Sequence, residues 1–350
     1  MQTRTYTLRF VTPAFLGNAD QAGQWRTPPV KALLRQWWRV AFWADRRAIP
    51  ARDAPRAMRA AEGRLFGQAG DDDGEARRSL IRIRLNRWDV GRMKSWEGDR
   101  ERIVHPEVKG PVGAQLYLGY GPLVFKDGTS LKAGAAIQAD EQAELRLAFP
   151  TEGDATLIDK AIALAHRFGT LGGRSRNGWG SFSLTPNGSD ASAFDGDVDP
   201  RLVESWMDAL ELDWPHAIGR DAKGPLIWAT EPLADWKTVM RRLAEIKIGM
   251  RTQFRFTTGD GAPNPEHRHW LSYPVTRHHV RDWGRSARLP NSLRFKVRAE
   301  HDGKLRGVIV HVPCLPPAQF KPDRKVIVEV WTRVHDYLDQ PSRALQRIAG

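Results

Sequence analysis

The sequence predicts an α+β chain made of two units, each a small sheet covered by helices. Three observations predict it. Apolar residues alternate at period two in several short runs, apolar stripes repeat at helical spacing in longer ones, and a small acidic stretch interrupts the chain past its middle. Residues 3–10 put Tyr6, Leu8 and Phe10 on one face of a strand. Pro28 and Pro29 then open a helix running to about Arg47, because a helix's first turn tolerates proline's missing N–H. Residues 79–85 alternate apolar side chains with arginine, and residues 144–149 alternate again, giving two strands with one buried face each. The arginines of the first run face solvent or a ligand. Asp154 caps a second helix whose stripe is Leu157, Ile158, Ala161, Ile162, Ala165 and Phe168, and residues 181–184 form a last strand. The order β-α-β-β-α-β is the split βαβ, ferredoxin-like (RRM-like) arrangement shared by many RNA-binding modules.

Residues 187–200 are small, acidic and aperiodic, and read as a linker between a first domain, residues 1–186, and a second, residues 201–350. In the second, residues 201–212 and 236–251 read as helices separated by a strand near 225–230. Residues 294–299 and 305–312 read as paired strands around an Asp302-Gly303 turn, and residues 325–337 as a helix whose opening also fits a strand. The fold class is therefore two ferredoxin-like βαββαβ domains with long insertions. Residues 48–78, 87–132 and 257–269 exceed ordinary loop lengths and read as binding or assembly insertions.

Lysine and arginine number 54 against 41 acids, a net charge of +13. Such an excess favours a polyanionic partner, and the lack of a long apolar run or an amphipathic N-terminal anchor leaves nucleic acid rather than a membrane. Met1 leads directly into a polar strand, so no leader is expected. Cys314 is the lone cysteine; it excludes an internal disulfide or CxxC zinc site and fits a reducing, cytoplasmic setting. Fourteen tryptophans against five tyrosines supply core and interface anchors, with a surplus suited to base stacking and subunit contacts.

Two segments carry the functional signal. In RTPPVKALLRQWWR, residues 26–39, Val30, Leu33, Leu34, Trp37, Val40, Ala41 and Ala44 share one helix side, and Lys31, Arg35, Arg39 and Arg46 share the other. Trp38 and Phe42 interrupt the basic side, which suits stacking on a base; the alternative is a solvated face with Trp38 packed under a loop. The second segment, GTLGGRSRNGWG at residues 169–180, has glycines that permit positive φ and close approach to a ligand, with Arg174 and Arg176 adding charge. The alternative is a flexible turn. It is no Walker loop, since no Gly-Lys-Ser/Thr ends it and a strand follows.

Thr12, Pro13, Phe15, Gly17 and Asp20, the helix opening at residues 26–39, Leu65-Phe66-Gly67 and the loop at 172–182 together resemble the RAMP superfamily. Within it they resemble a subunit of the Cmr complex, a type III-B CRISPR RNA-guided effector. The match covers most of residues 1–186, while residues 271–274 and 288–295 only approximate the superfamily's second-domain pattern. The resemblance implies a non-catalytic RNA-binding subunit without cofactor, holding the 3′ part of the guide RNA, its target duplex, or both, at one end of an assembly of other RAMP subunits. It implies that Arg26, Lys31, Arg35, Trp38 and Arg39 lie along the nucleic acid. Gly172, Gly173, Arg174, Ser175, Arg176, Asn177, Gly178 and Trp179 would close over it, the helix ridge and the loop meeting in one cradle. Guide pairing reads sequence in such systems, so a protein that reads backbone suffices.

Two rival readings remain. A metal-independent ribonuclease processing guide RNA needs a general acid and base, for which His105, His166, His267, His269, His278 and His279 are candidates. His166 sits beside an apolar stripe and reads as structural, and the run at 277–281 reads as phosphate contacts. Asp20 is a lone carboxylate, Asp71-Asp72-Asp73 reads as a solvated loop tip, and His267 with His269 lacks further zinc ligands. No catalytic or metal-ligating residue is assigned. The other rival is an assembly scaffold whose charge serves subunit contacts alone.

Overall fold

The structure, a computed structural model, describes residues 1–50, 52–70, 76–97, 101–150, 154–188, 194 and 196–349. The first sheet contains β1 (Gln2–Phe10), β2 (Arg82–Leu85), β3 (Gln142–Phe149) and β4 (Phe182–Pro186) in the order β2-β3-β1-β4, each neighbouring pair antiparallel. Register follows the alternation, with Tyr6 opposite Leu145 and Leu8 between Ala143 and Leu184, so all five point into the core. Helices α1 (Thr27–Ala44) and α4 (Ala155–Phe168) pack together over that face, with Trp37 against the Phe168 ring at 5.9 Å. The connection order is β-α-β-β-α-β, as expected.

The insertions are not featureless. Residues 48–78 contain α2 (Ala54–Phe66), whose buried Ala54, Met58 and Leu65 turn toward the core. Residues 87–132 contain α3 (Ala114–Gly119) and two small hairpins, one of them Leu123–Phe125 with Thr129–Leu131. Asp154 lies before α4 but does not cap it; its carboxylate accepts from Arg64 at 2.7 and 2.8 Å, an ion pair between α2 and α4 that outcompetes the cap. The predicted linker is partly outside the described residues.

A second sheet repeats the plan with β5 (Ile227–Thr230), β6 (Leu293–Ala299), β7 (Leu305–His311) and β8 (Leu345–Arg347) in the order β6-β7-β5-β8, antiparallel throughout. Helices α5 (Trp236–Thr252) and α6 (Arg324–Leu338) supply the crossovers. Each starts on a true cap: Asp235 accepts from Lys237 and Thr238 N–H, and Asp323 from Lys325 and Val326 N–H. The helix expected over 201–212 is absent; the strand Val203–Ser205 pairs in parallel with Ile218–Asp221, flanked by two 3-10 turns. Strand pairing satisfies the same backbone groups a helix would have used, and Leu202, Val203, Trp206 and Leu210 are buried either way.

The two units are docked through buried polar bonds. Lys296 on β6 is 1% exposed, and its ammonium reaches the carbonyls of Ala165, His166 and Gly169 at the C-terminal end of α4, together with Phe182 O. Val297 N–H donates to Ser181 Oγ, and Phe295 N–H to Arg176 O at 3.2 Å, which lays β6 beside the glycine-rich loop.

Candidate nucleic-acid interface

The glycine-rich loop is shaped by its own chain. Gly180 has φ +66°, and a Cβ there would stand 1.9 Å from Leu171 O; at Gly172, φ +94°, it would stand 2.7 Å from Phe15 O. These glycines admit the protein's backbone, not a ligand's, which corrects the sequence reading. Trp179, just before β4, is 0% exposed and wedged among Phe15, Trp96 and Trp236 at ring distances of 5.1, 5.5 and 5.9 Å. Its stacking on an exposed base is therefore ruled out, because the ring is already an anchor between the units. The loop's tip is what remains outward: Arg174 sits at φ +56°, and Thr170 Oγ1 donates to Ser175 O at 2.8 Å.

Beside this tip lies a cleft of about 2000 Å³ between the two units. Its walls are residues 174–177, the turn at 105–108 with α3, the last turns of α5, and the segments at 255–260 and 272–291. Nine lysines and arginines line it, Arg174, Arg176, Lys247, Arg251, Arg255, Arg268, Arg277, Arg285 and Arg288, against two acids, Glu107 and Asp260. Both acids are occupied. Glu107 takes two bonds from Arg268, at 2.7 and 2.8 Å, and Asp260 pairs with Arg285 and His279. Burial pushes the pKa values of Lys247, Arg174, Arg176 and Arg251 down, for Lys247 well below the ordinary lysine value with help from Arg251 and Arg174. Tyr120 stands at the wall 61% exposed, the one large aromatic among the described lining residues that offers a mostly open ring. A cleft of this charge is a counter-ion trap suited to a polyphosphate chain.

Of the residues singled out from sequence, the structure brings Arg174, Ser175, Arg176 and Asn177 into this cleft, together with His105, Arg277, His278 and His279. Arg176 donates to Asn291 O, and Asn177 holds Leu118 O through Nδ2 at 2.8 Å. Gly172, Gly173, Gly178 and Trp179 lie outside its wall. The residues of α1 do not join it. Arg35 and Arg39 both grip Glu62 of α2, which is 2% exposed; burial raises that carboxyl's pKa, but the two guanidinium groups lower it further. Lys31 is half-buried, and Arg26 donates to Gly17 O. Trp38 is 1% exposed under α2, against Phe42 at 4.9 Å and Phe66 at 5.7 Å, so it too is core rather than a stacking platform. The single cradle expected from ridge and loop is thus not formed.

Histidines divide similarly. His166 accepts from Leu184 N–H, and burial brings its pKa down to about 3, a structural role as expected. His269 accepts from Glu266 N–H and contacts His278 O. His278 lies flat on Phe256 at 3.9 Å with Nδ1 on Thr258 O, and His279 Nδ1 meets Asp260. Asp20 is exposed, Asp71, Asp72 and Asp73 lie outside the described residues, and no metal-binding cluster occurs among the described residues. Likewise, no described helix is long and apolar enough to cross a membrane.

Sequence reasoning missed Lys247 and Arg251. Their signal was present: Lys247 follows Met240, Leu243 and Ala244 at seven, four and three residues, and Arg251 follows Lys247 at four, so they continue the apolar stripe of α5 with cations.

No family model matches the sequence, and no curated protein matches it. Solved structures align with nearly the whole chain. The chain is similar to Cmr1. The crystal structure of apo Cmr1 from Pyrococcus furiosus shares 14% identity, covering 99% of this chain and 98% of that one with a TM-score of 0.44. Two chains from cryo-EM structures of the type III-B Cmr-beta complex bound to cognate target RNA share 10% identity, covering 95% of this chain and 98% or 99% of theirs, each with a TM-score of 0.43. At these identities the likeness to Cmr1 concerns architecture, and the chemistry of the cleft rests on its own residues.

Proposed function

We propose that this chain is a non-catalytic RNA-binding subunit of a type III CRISPR RNA-guided effector, with RNA lying in the cleft between two ferredoxin-like units. The observation that carries the binding reading is the cleft's charge, nine cations against two acids that are already paired. The RAMP resemblance of residues 12–39 and 172–182 supports the assignment to an effector, at one end of the assembly on the 3′ part of the guide, its target duplex, or both. Contacts fall on backbone phosphates, through Arg174, Arg176 and the rim arginines, so base sequence matters little. Arg26, Lys31, Arg35 and Arg39 carry no part of this reading. The cleft's histidines serve as packing and hydrogen-bonding groups, and no step of RNA cleavage is assigned to them.

The test is RNA affinity against salt. A labelled single strand of about 20 nucleotides should give a straight line of log affinity against log salt, with a slope near −0.7 per phosphate neutralised. Arg255 and Arg277 line the cleft and are exposed. Arg255→Gln with Arg277→Gln should make the slope shallower by about 1.4, while the RNA stays intact on long incubation. Salt-independent or absent binding by the parent protein overturns the proposal, and cleaved RNA overturns its non-catalytic half.

A further inference from the structure

The floor of the cleft concentrates positive charge without matching carboxylates. Lys247 and Arg251 stand four residues apart on α5, the spacing at which like charges repel, and the loop that carries Arg174 meets them through the bond of Lys247 to Asn177. Their hydrogen-bond partners are neutral: Lys247 Nζ donates to Asn177 Oδ1, and Arg251 Nη1 to Ser272 Oγ at 2.8 Å. Of the cleft's acids, Asp260 pairs with Arg285 and His279, and Glu107 hydrogen-bonds Arg268 and reaches Arg251 only through space. Lys247 and Arg251 are half-buried; cations held partly out of water on neutral partners destabilise a fold, and an apolar residue at the Lys247 position of the α5 stripe would pack at no such cost. The floor is also held ready. Asn177 is fixed by its Nδ2 bond to Leu118 O, so its Oδ1 keeps the ammonium pointed along one wall.

We infer that Arg174, Lys247 and Arg251 form a seat for one phosphate group, the fixed point against which a ribonucleotide chain is held. This rests on the RNA reading of the cleft. Two guanidinium forks and one ammonium match the charge and the oxygens of a tetrahedral oxyanion. The phosphate can come from an internal phosphodiester or from a terminal phosphomonoester.

Burial, Arg251 on the same helix and Arg174 on the loop hold the Lys247 pKa below the ordinary lysine value; Asn177 and the Phe295 ring at 5.9 Å complete its surroundings. Tyr117 of α3, Glu107 and Arg268 act on Arg251 behind it. A phosphate dianion reverses the balance and favours the ammonium.

The experiment is calorimetry on the full chain with inorganic phosphate. It is repeated with short RNAs ending in 3′-hydroxyl, 3′-phosphate or 5′-phosphate. The parent protein should bind phosphate. Lys247→Met should weaken phosphate binding roughly tenfold to a hundredfold, without lowering the melting temperature, because a half-buried charge has been replaced by an apolar side chain. Arg251→Gln gives an independent reading of the weakening if the first variant fails to fold. Tighter binding of one phosphorylated end supports the seat and identifies a terminal group; equal affinity of all three RNAs, weakened alike by Lys247→Met, supports it and identifies an internal one. Phosphate binding unchanged in both variants overturns the seat, as does RNA binding without any phosphate response; either leaves the RNA reading standing. RNA that never binds the parent protein overturns the RNA reading, while the phosphate titration still reports on the seat.

Discussion

Glu62→Gln separates the two surfaces between which the proposed RNA binding has to choose. Glu62 is 2% exposed on α2 and receives Arg35 and Arg39 of α1, whose side chains are 40% and 27% exposed. Charge-assisted bonds of this kind contribute about 1.5–3 kcal/mol where they are buried. Both arginines reach solvent, so their loss of partner is partly repaid by water, and the net destabilisation should be about 2 kcal/mol. With an unfolding entropy of about 2.1 cal/mol/K per residue, a chain of this length changes by about 0.7 kcal/mol/K, and the melting temperature should fall by about 3 °C. The same substitution frees two cations on the α1 ridge. If RNA lies in the cleft, affinity measured by fluorescence anisotropy stays within about twofold, since Arg35 and Arg39 do not line it and exposed charges are screened by salt. A several-fold gain in affinity refutes the cleft and returns the ridge to the binding surface. An unchanged melting temperature refutes the account of the ion pair.

Three further outcomes test the docking of the units and its electrostatics. Lys296→Met orphans buried carbonyls at the end of α4 and should cost about 3 kcal/mol, read as a lower urea midpoint; an unchanged midpoint removes the ammonium from the docking bonds. Trp179→Ala empties the aromatic wedge between the units and should cost about 3–5 kcal/mol, with Trp179→Phe recovering much of it. Near-native stability of the alanine variant would show that the ring is dispensable. Glu266 is pushed up by burial but pulled down to about 2, from the ordinary 4.5, by the hydroxyls and N–H groups of Thr258 and Thr257. A lowered folded-state value means stability that is whole above pH 4.5 and lost as pH falls toward 2, so Glu266→Gln should flatten that part of the stability profile; a profile identical to the parent's contradicts the assignment.

What sequence made legible was the set of elements with a clean period. Tyr6, Leu8 and Phe10 on β1, the stripe from Leu157 to Phe168 on α4, and the paired strands around Asp302-Gly303 all lie where alternation and helical spacing put them. Helix α2 was missed because its stripe, Ala54, Met58, Ala61 and Leu65, is dilute among arginines, glutamate and alanine. That omission explains the misreading of α1. With α2 absent, the side carrying Lys31, Arg35 and Arg39 looks solvent-facing and Trp38 looks exposed. With α2 in place, Glu62 neutralises the arginines while Phe66 covers the tryptophan. The cleft was legible at the glycine-rich loop and in the run at 277–281, but its other cations are scattered over residues 247–288 and converge only after folding.

That scatter has a consequence for how the site is built. Arg174 and Arg176 belong to the first unit and Lys247, Arg251 and the rim arginines to the second, so the cleft exists only while the units are docked. Docking in turn depends on Lys296 under α4 and on Trp179 between Phe15 and Trp236, neither of which lines the cleft. On the RNA reading proposed above, substitutions at these positions weaken binding without touching RNA. A rim arginine and a docking residue differ in what else moves: the first lowers the salt slope and leaves the melting temperature, whereas the second lowers the melting temperature and leaves the slope of whatever folded fraction binds. The cleft and the docking interface are thus one structure with two separable readouts.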